Sequence, residues 1–410
     1  MSTIDDGRVI GNLGLLDQRE AMRWVQNHIK AFGGDPKRVT VFGESAGGNS
    51  VGMHYVSLAS AGLFHSAIVE SGPWNLVMPM KDALTVSKKA AIAWGCAGPR
   101  DLACLRRLDM TSIINHAFSS GGIFFSPTVD GFFLNGSALE LIKKGKFNRV
   151  PLVVGTNANE GNGLLYPPVI PSKPMKVTEA KCVFNKAFGP SMAEEMLEMY
   201  TLVDSDSIDN RKAVTDLYSD ASFHCDNRVI EQALVAWNVD LWVYLFDRQP
   251  KCVYVDQMGY LPFPGTAHGD EIVYVFNNME WLASNPSSAA IKTKNTCINA
   301  PEDLQLAQTV SKLWGTFVRT STMPWSRFGQ REIKVHLNVG SKVPLPGDYL
   351  DIITGHRRGQ CDFLNSAFTP SDLQLKVANA VISSLLTCQN LNAAALADST
   401  ATTELQILYA

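Results

Sequence analysis

The tightest constraint on the fold is a short run, Val39 to Gly48, which reads V-T-V-F-G-E-S-A-G-G. Val39, Val41 and Phe42 predict a strand that stops at a serine set between glycines. Val51, Met53, Tyr55, Val56 and Leu58 then resume as a helix-like segment. A serine at such a strand-to-helix turn takes a strained backbone, and glycines on either side relieve the crowding around it. Its hydroxyl then projects from the carboxyl edge of a sheet, with a helix N-terminus beneath it. A tight turn after a buried strand would use similar residues. The strand before Ser45 and the helix after it favour a nucleophile.

The remaining chain alternates between the two periodicities. Leu15 to Phe32 has the spacing of an amphipathic helix, stopped by Gly33-Gly34 and turned by Asp35-Pro36 into the strand before Ser45. Ser66 to Val69, Val150 to Gly155, Leu241 to Phe246 and Ile333 to Leu337 are predicted strands. Helices are expected over Asp82 to Trp94, Asp101 to Phe118, much of Val177 to Asn238, and Leu304 to Val318. Strands alternating with helices predict an α/β fold with a mostly parallel sheet. Residues 1–389 are read as one such domain. Residues 390–410, rich in Ala, Thr and Ser without a period, are read as a tail with little fixed structure.

Composition narrows the partners. Of 410 residues, 18% are charged and the net charge is −3, which supplies no basic footprint for nucleic acid. No run of apolar residues is long enough to cross a membrane, and the first residues do not read as a signal peptide. Eight cysteines occur, and the close pair Cys96 and Cys104 suggests a stapled loop and an oxidising compartment.

A serine hydroxyl needs a base to take its proton, and the base needs an acid to fix its tautomer. When the serine sits on a strand-to-helix elbow, the acid follows it in sequence and the histidine comes last. Gly155 to Gly161 offers Glu160, directly after a predicted strand, and Gly265 to Gly269 offers His268 in a loop of small residues. His28, His54 and His65 precede any later acid. His116, His224, His336 and His356 lie in helical, strand or arginine-flanked sequence. Asp130, in S-P-T-V-D-G, is the rival acid, but its setting before Gly131 is that of a turn in which the carboxylate bonds its own backbone.

Three segments together resemble the type-B carboxylesterase/cholinesterase family: G-N-L-G-L-L-D-Q-R-E-A-M-R-W-V-Q (Gly11 to Gln26), F-G-G-D-P-K-R-V-T-V-F-G-E-S-A-G-G (Phe32 to Gly48) and H-G-D-E-I (His268 to Ile272). The resemblance implies an α/β-hydrolase fold and cleavage of small carboxylic esters without a cofactor or metal. It makes Ser45 the nucleophile, Glu160 the acid, His268 the base and the Ala46 N–H an oxyanion donor. It implies disulfides Cys96–Cys104 and Cys225–Cys361, and leaves Cys182, Cys252, Cys297 and Cys388 unassigned. The sequon Asn135-Gly136-Ser137 fits a secreted glycoprotein.

Two features depart from the family pattern. Asn162-Gly163-Leu164-Leu165 follows the acid where the cholinesterase branch has gorge aromatics, so a general carboxylesterase is expected rather than a choline-selective enzyme. No H-G-G-G-like run occurs, and only 44 residues precede Ser45, so an N-terminally truncated chain lacking the first strands and the glycine donors is expected. Each missing donor would cost about 10²–10³ in rate. The nucleophile strand would also present an unpaired edge. The competing expectation is a catalytically silent adhesion or binding module on the same scaffold, although such modules usually lack a triad member.

Overall fold

The computed structural model describes residues 2–5, 8–111, 113, 125–165, 170, 174–200, 202, 209–248, 265–279, 301–329, 332–337 and 351–388. Its centre is a six-stranded sheet. In chain order the strands are β1 (Thr40–Glu44), β2 (Ser66–Glu70), β3 (Leu152–Asn157), β4 (Leu241–Phe246), β5 (Ile333–Leu337) and β6 (Asp351–Thr354). They lie in that same order across the sheet. The first five run parallel, and β6 returns antiparallel to β5.

Period-2 alternation sorts the strand side chains onto two faces. Ala67, Val69, Leu152, Val154, Leu241 and Val243 share one core with Val51, Met53, Tyr55 and Val56 of helix α2 (Ala46–Val56). Leu15 and Met22 of α1 (Leu13–His28) join them. Ile68, Val153, Trp242 and Tyr244 face the other way, onto Val310, Trp314 and Phe317 of the long helix Pro301–Thr320. Burial on both faces is why β2, β3 and β4 read as unbroken apolar runs rather than alternating ones. Among the described residues β1 is the end strand on its side, and Phe42 on it is about half exposed.

A third core is built mainly from helices. Val183 and Phe184 of the helix Val177–Phe188 pack with Val214 and Leu217 of Arg211–Ser219, and with Val381 and Leu385 of Ala378–Cys388. Disulfides staple this layer: Cys182 bonds Cys388 and Cys225 bonds Cys361, while Cys96 bonds Cys104 in a local loop. Cys252, Cys297 and the 390–410 tail lie outside the described residues.

The observed elements differ from the sequence expectation mainly at their ends. The first helix passes into a 3₁₀ turn over Ile29–Phe32, closed by Gly33 at φ 81°. The strand expected over Val150 to Gly155 is displaced to Leu152–Asn157, beyond Pro151. Within Asp101 to Phe118 a helix is described over Leu102–Leu105, much of the remainder lying outside the described residues. Asn135 is exposed, and Ser137 beside it caps the next helix, its hydroxyl accepting the Glu140 N–H while Glu140 accepts the Ser137 N–H.

Gly155 shows how tightly the sheet and its neighbours fit. A Cβ there would lie 2.1 Å from Cε1 of Tyr244 on the adjacent strand. Gly155→Ala is therefore expected to lower the urea midpoint by the equivalent of about 1–3 kcal/mol, the usual cost of overpacking. A midpoint unchanged from the parent would show that the Tyr244 ring moves aside freely.

Candidate active site

Ser45 sits between β1 and α2 with φ 56° and ψ −116°, a conformation that costs an L-residue energy and persists only where its surroundings hold it. The hold comes from backbone contact. A Cβ on Gly43 would fall 2.6 Å from the Gly47 carbonyl carbon; one on Gly48 would fall 2.7 Å from the Glu70 carbonyl oxygen and 2.9 Å from Gly72 Cα. Gly47 has nothing within 4 Å of such an atom. The elbow therefore demands glycine at 43 and 48, where strand and helix touch, rather than symmetrically about the serine. The Ser45 N–H donates to the Glu70 carbonyl at 3.0 Å, tying the elbow to β2. Ala46 opens the helix, where first-turn N–H groups have no intrahelical acceptor.

The acid loop leaves the end of β3 and the histidine loop follows β4 in sequence, so two polar side chains stitch them together. The Asn157 amide donates to the Ala267 carbonyl at 2.7 Å and to the Glu271 carboxylate. Asn159 accepts the Thr266 N–H at 3.2 Å through its side chain and donates its own N–H to the Thr266 carbonyl at 3.0 Å. The Asn157 N–H also donates to Glu160 Oε1 at 2.7 Å, fixing a carboxylate that is wholly buried.

These contacts bring three distant side chains into one line. Glu160 Oε2 lies 2.7 Å from His268 Nδ1, and His268 Nε2 lies 2.7 Å from Ser45 Oγ. A carboxylate only accepts, so Nδ1 carries a proton and, in the neutral ring, Nε2 offers a lone pair to the serine hydroxyl. Asp130 stays apart: its Oδ1 accepts the N–H groups of Phe132, Phe133 and Leu134 at 3.0, 2.8 and 2.9 Å, the turn role.

The site also holds groups that sequence reading passed over. Glu44 Oε1 lies 3.2 Å from the same His268 Nε2. Burial pushes the Glu44 carboxyl up, the neighbouring imidazole opposes this, and Glu160 adds to it. Burial alone would lower the His268 imidazole, but the carboxylates of Glu44 and Glu160, with Asp270, outweigh it and raise the ring to about 9. Burial likewise raises Asp270 to about 7 and Glu271 well above the carboxylate range. Glu70, which accepts the Trp314 indole N–H at 2.9 Å, is raised to about 7 by burial. Glu44 flanks the serine and Asp270-Glu271 follow the histidine, so adjacency was the available signal. Asn157 had none beyond lying in the acid loop. No metal-binding cluster accompanies these groups among the described residues. The Cys96, Asp101 and Cys104 grouping has its two sulfurs in a disulfide.

Asn157→Ala removes two buried bonds and leaves the Ala267 carbonyl and Glu271 short of a donor. It is expected to cost about 1–3 kcal/mol and to speed hydrogen exchange across 265–269. Unchanged exchange there would mean that the Asn159 bonds suffice.

A family profile described as "Carboxylesterase family" matches residues 1–342. The fumonisin B1 esterase of Sphingopyxis macrogoltabida is 33% identical over 337 residues, 79% of this chain and 57% of that protein. The acetylcholinesterase of Bungarus fasciatus is 30% identical over 336 residues, 76% of this chain and 52% of that protein. The chain thus spans about half the length of these relatives. With its parallel sheet flanked by helices and the profile match over most of its length, the chain belongs to the carboxylesterase family of α/β-hydrolases.

Proposed function

We propose that this chain carries the catalytic triad of a serine hydrolase that cleaves small carboxylic esters through an acyl-enzyme, with Ser45 as nucleophile, His268 as base and Glu160 as orienting acid. The observation that carries the reading is the continuous line of short contacts from Glu160 through His268 to Ser45 at a positive-φ elbow. An adhesion or binding module would have no use for a strained serine bonded to a buried histidine–glutamate pair.

In this reading Ser45 Oγ bonds to the ester carbonyl carbon as its proton passes to His268 Nε2. The carbonyl oxygen becomes an oxyanion, toward which the Ala46 N–H donates. As the tetrahedral centre collapses, the C–O bond to the alcohol breaks and the imidazolium returns its proton to the departing oxygen. Water then adds to the acyl carbon with His268 again as base, releasing the acid and regenerating Ser45. Glu160 keeps the tautomer fixed and stabilises the imidazolium throughout. Residues 1–389 form the catalytic domain in this reading, with Ala46 as the donor identified for the oxyanion hole. Paired cysteines in the helical layer and the exposed Asn135 sequon support an oxidising, secretory setting.

A fluorophosphonate probe tests the nucleophile. The parent chain should label at Ser45, Ser45→Ala should not, and Glu160→Gln should slow labelling by about 10⁴ by releasing the wrong tautomer. Labelling that survives Ser45→Ala would overturn the reading.

The pH dependence follows from the carboxylates around the ring. Only neutral His268 can accept the serine proton, and its raised value near 9 leaves mostly imidazolium at neutrality. Labelling should therefore climb with pH through about 9, and Glu44→Gln, which removes the largest raising influence, should move the midpoint to lower pH. A midpoint at the ordinary histidine value in the parent would contradict this.

A further inference from the structure

The helical run from Arg211 to Val235 is interrupted by a π-turn, Asp220–His224, all of it buried. Such a turn holds an extra residue and re-aims the side chains around it, which is why π-turns gather at functional sites. This one is held from several sides. Arg357 Nε donates to Asp220 Oδ1 at 2.7 Å, Gln374 donates to the Ser222 carbonyl at 3.1 Å, and Cys225, the next residue, bonds Cys361.

Its last two side chains address the acid and the base in turn. His224 contacts Thr156 Oγ1 at 3.1 Å and the Ala158 carbonyl at 3.3 Å, bracketing Asn157, whose N–H fixes Glu160. The Phe223 ring lies against the His268 imidazole, with centroids 4.8 Å apart and planes tilted by 41°. His268 needs a lateral restraint because its loop supplies little. Gly265, Thr266 and Ala267 precede it, and Gly269 follows at φ 83°. Nε2 bonds Ser45 Oγ at 2.7 Å, and Glu44 Oε1 lies 3.2 Å from it as a second, unbonded neighbour. Once the ring has taken the serine proton, Glu44 is the stronger attractor, because a carboxylate and an imidazolium make a charge-assisted bond. An imidazolium closed onto Glu44 would withhold its proton from the leaving oxygen.

We propose that Phe223 is a positioning residue whose ring holds the His268 imidazole on Ser45 and keeps it from closing onto Glu44. The proposal rests on the triad reading above. The aromatic face suits the task, since it blocks tilting of the neutral ring and attracts the cation that forms. The charged groups acting on the ring are Glu44 from β1, Glu160 from the acid loop and Asp270 from its own loop. Of these, Glu44 competes for Nε2.

The test is a four-way comparison of the parent chain, Phe223→Leu, Glu44→Gln and the double variant, read as fluorophosphonate labelling rate against pH. Phe223→Leu should slow labelling by about 10-fold to 100-fold, the usual cost of a misplaced catalytic group. In the Glu44→Gln background the same change should cost less than about threefold, because the competitor is gone. Equal defects in both backgrounds, or a Phe223→Leu rate within about twofold of the parent, would overturn the proposal. Phe223→Met is carried in parallel, its adaptable side chain filling the site should the leucine variant fail to fold. A parent chain that never labels at Ser45 would refute the triad reading instead. NMR titration of the His268 ring then decides the positioning claim separately: Phe223→Leu should raise the titration midpoint, Glu44→Gln should cancel the rise, and no rise would overturn it.

Discussion

Around the His268 imidazole the protein gathers Glu44, Glu160 and Asp270, with Glu271 and Glu70 close behind through their coupling to Glu44. Carboxylates packed this closely cannot all ionise in a medium that screens them poorly. The described structure meets that constraint in two ways. Burial raises several of them, Glu271 well above the carboxylate range and Glu70 and Asp270 to about 7. The histidine supplies the positive charge that the rest require. Two further contacts serve this electrostatic arrangement: the Asn157 amide gives Glu271 a donor and the Trp314 indole gives one to Glu70.

Much of this site was legible in the sequence because its parts are local. A glycine-set serine between a strand and a helix announces an elbow, and Glu160 and His268 stand in small-residue loops that follow strands. Leu241–Phe246 and Ile333–Leu337 were legible to the residue, since an apolar run and an alternating one have sharp ends. The helix expected from Leu15 begins at Leu13, and its last turn tightens into a 3₁₀ form before Gly33. The unread features depend on distance. Glu44 looked like an elbow residue until the histidine loop was brought against it, and Phe223 sat in what scans as uninterrupted helix. A π-turn leaves no composition of its own. Nor did the pairing of Cys182 with Cys388, across 206 residues, show in any spacing.

The helical layer serves as the site's outer frame. Among the described residues it carries the two long-range disulfides and two π-turns, Asp220–His224 and Leu373–Val377, joined by the Gln374 bond to Ser222. The sheet supplies the serine and the acid strand, while this layer supplies Phe223 and His224, which bear on the base and on the acid strand. The alignment of Ser45, His268 and Glu160 is thus shared between a parallel sheet and a helical layer stapled by disulfides.

Strand β1 has a neighbour on one side only among the described residues, and the strained turn at its end leans on β2 through the Glu70 carbonyl and Gly72. The strained Ser45 turn is thus held along the seam between these two strands. Regions with few partners open well below the free energy of global unfolding. Warming or mild denaturant would accordingly part that seam while the central strands still held, so the Ser45 turn would relax ahead of the loss of fold.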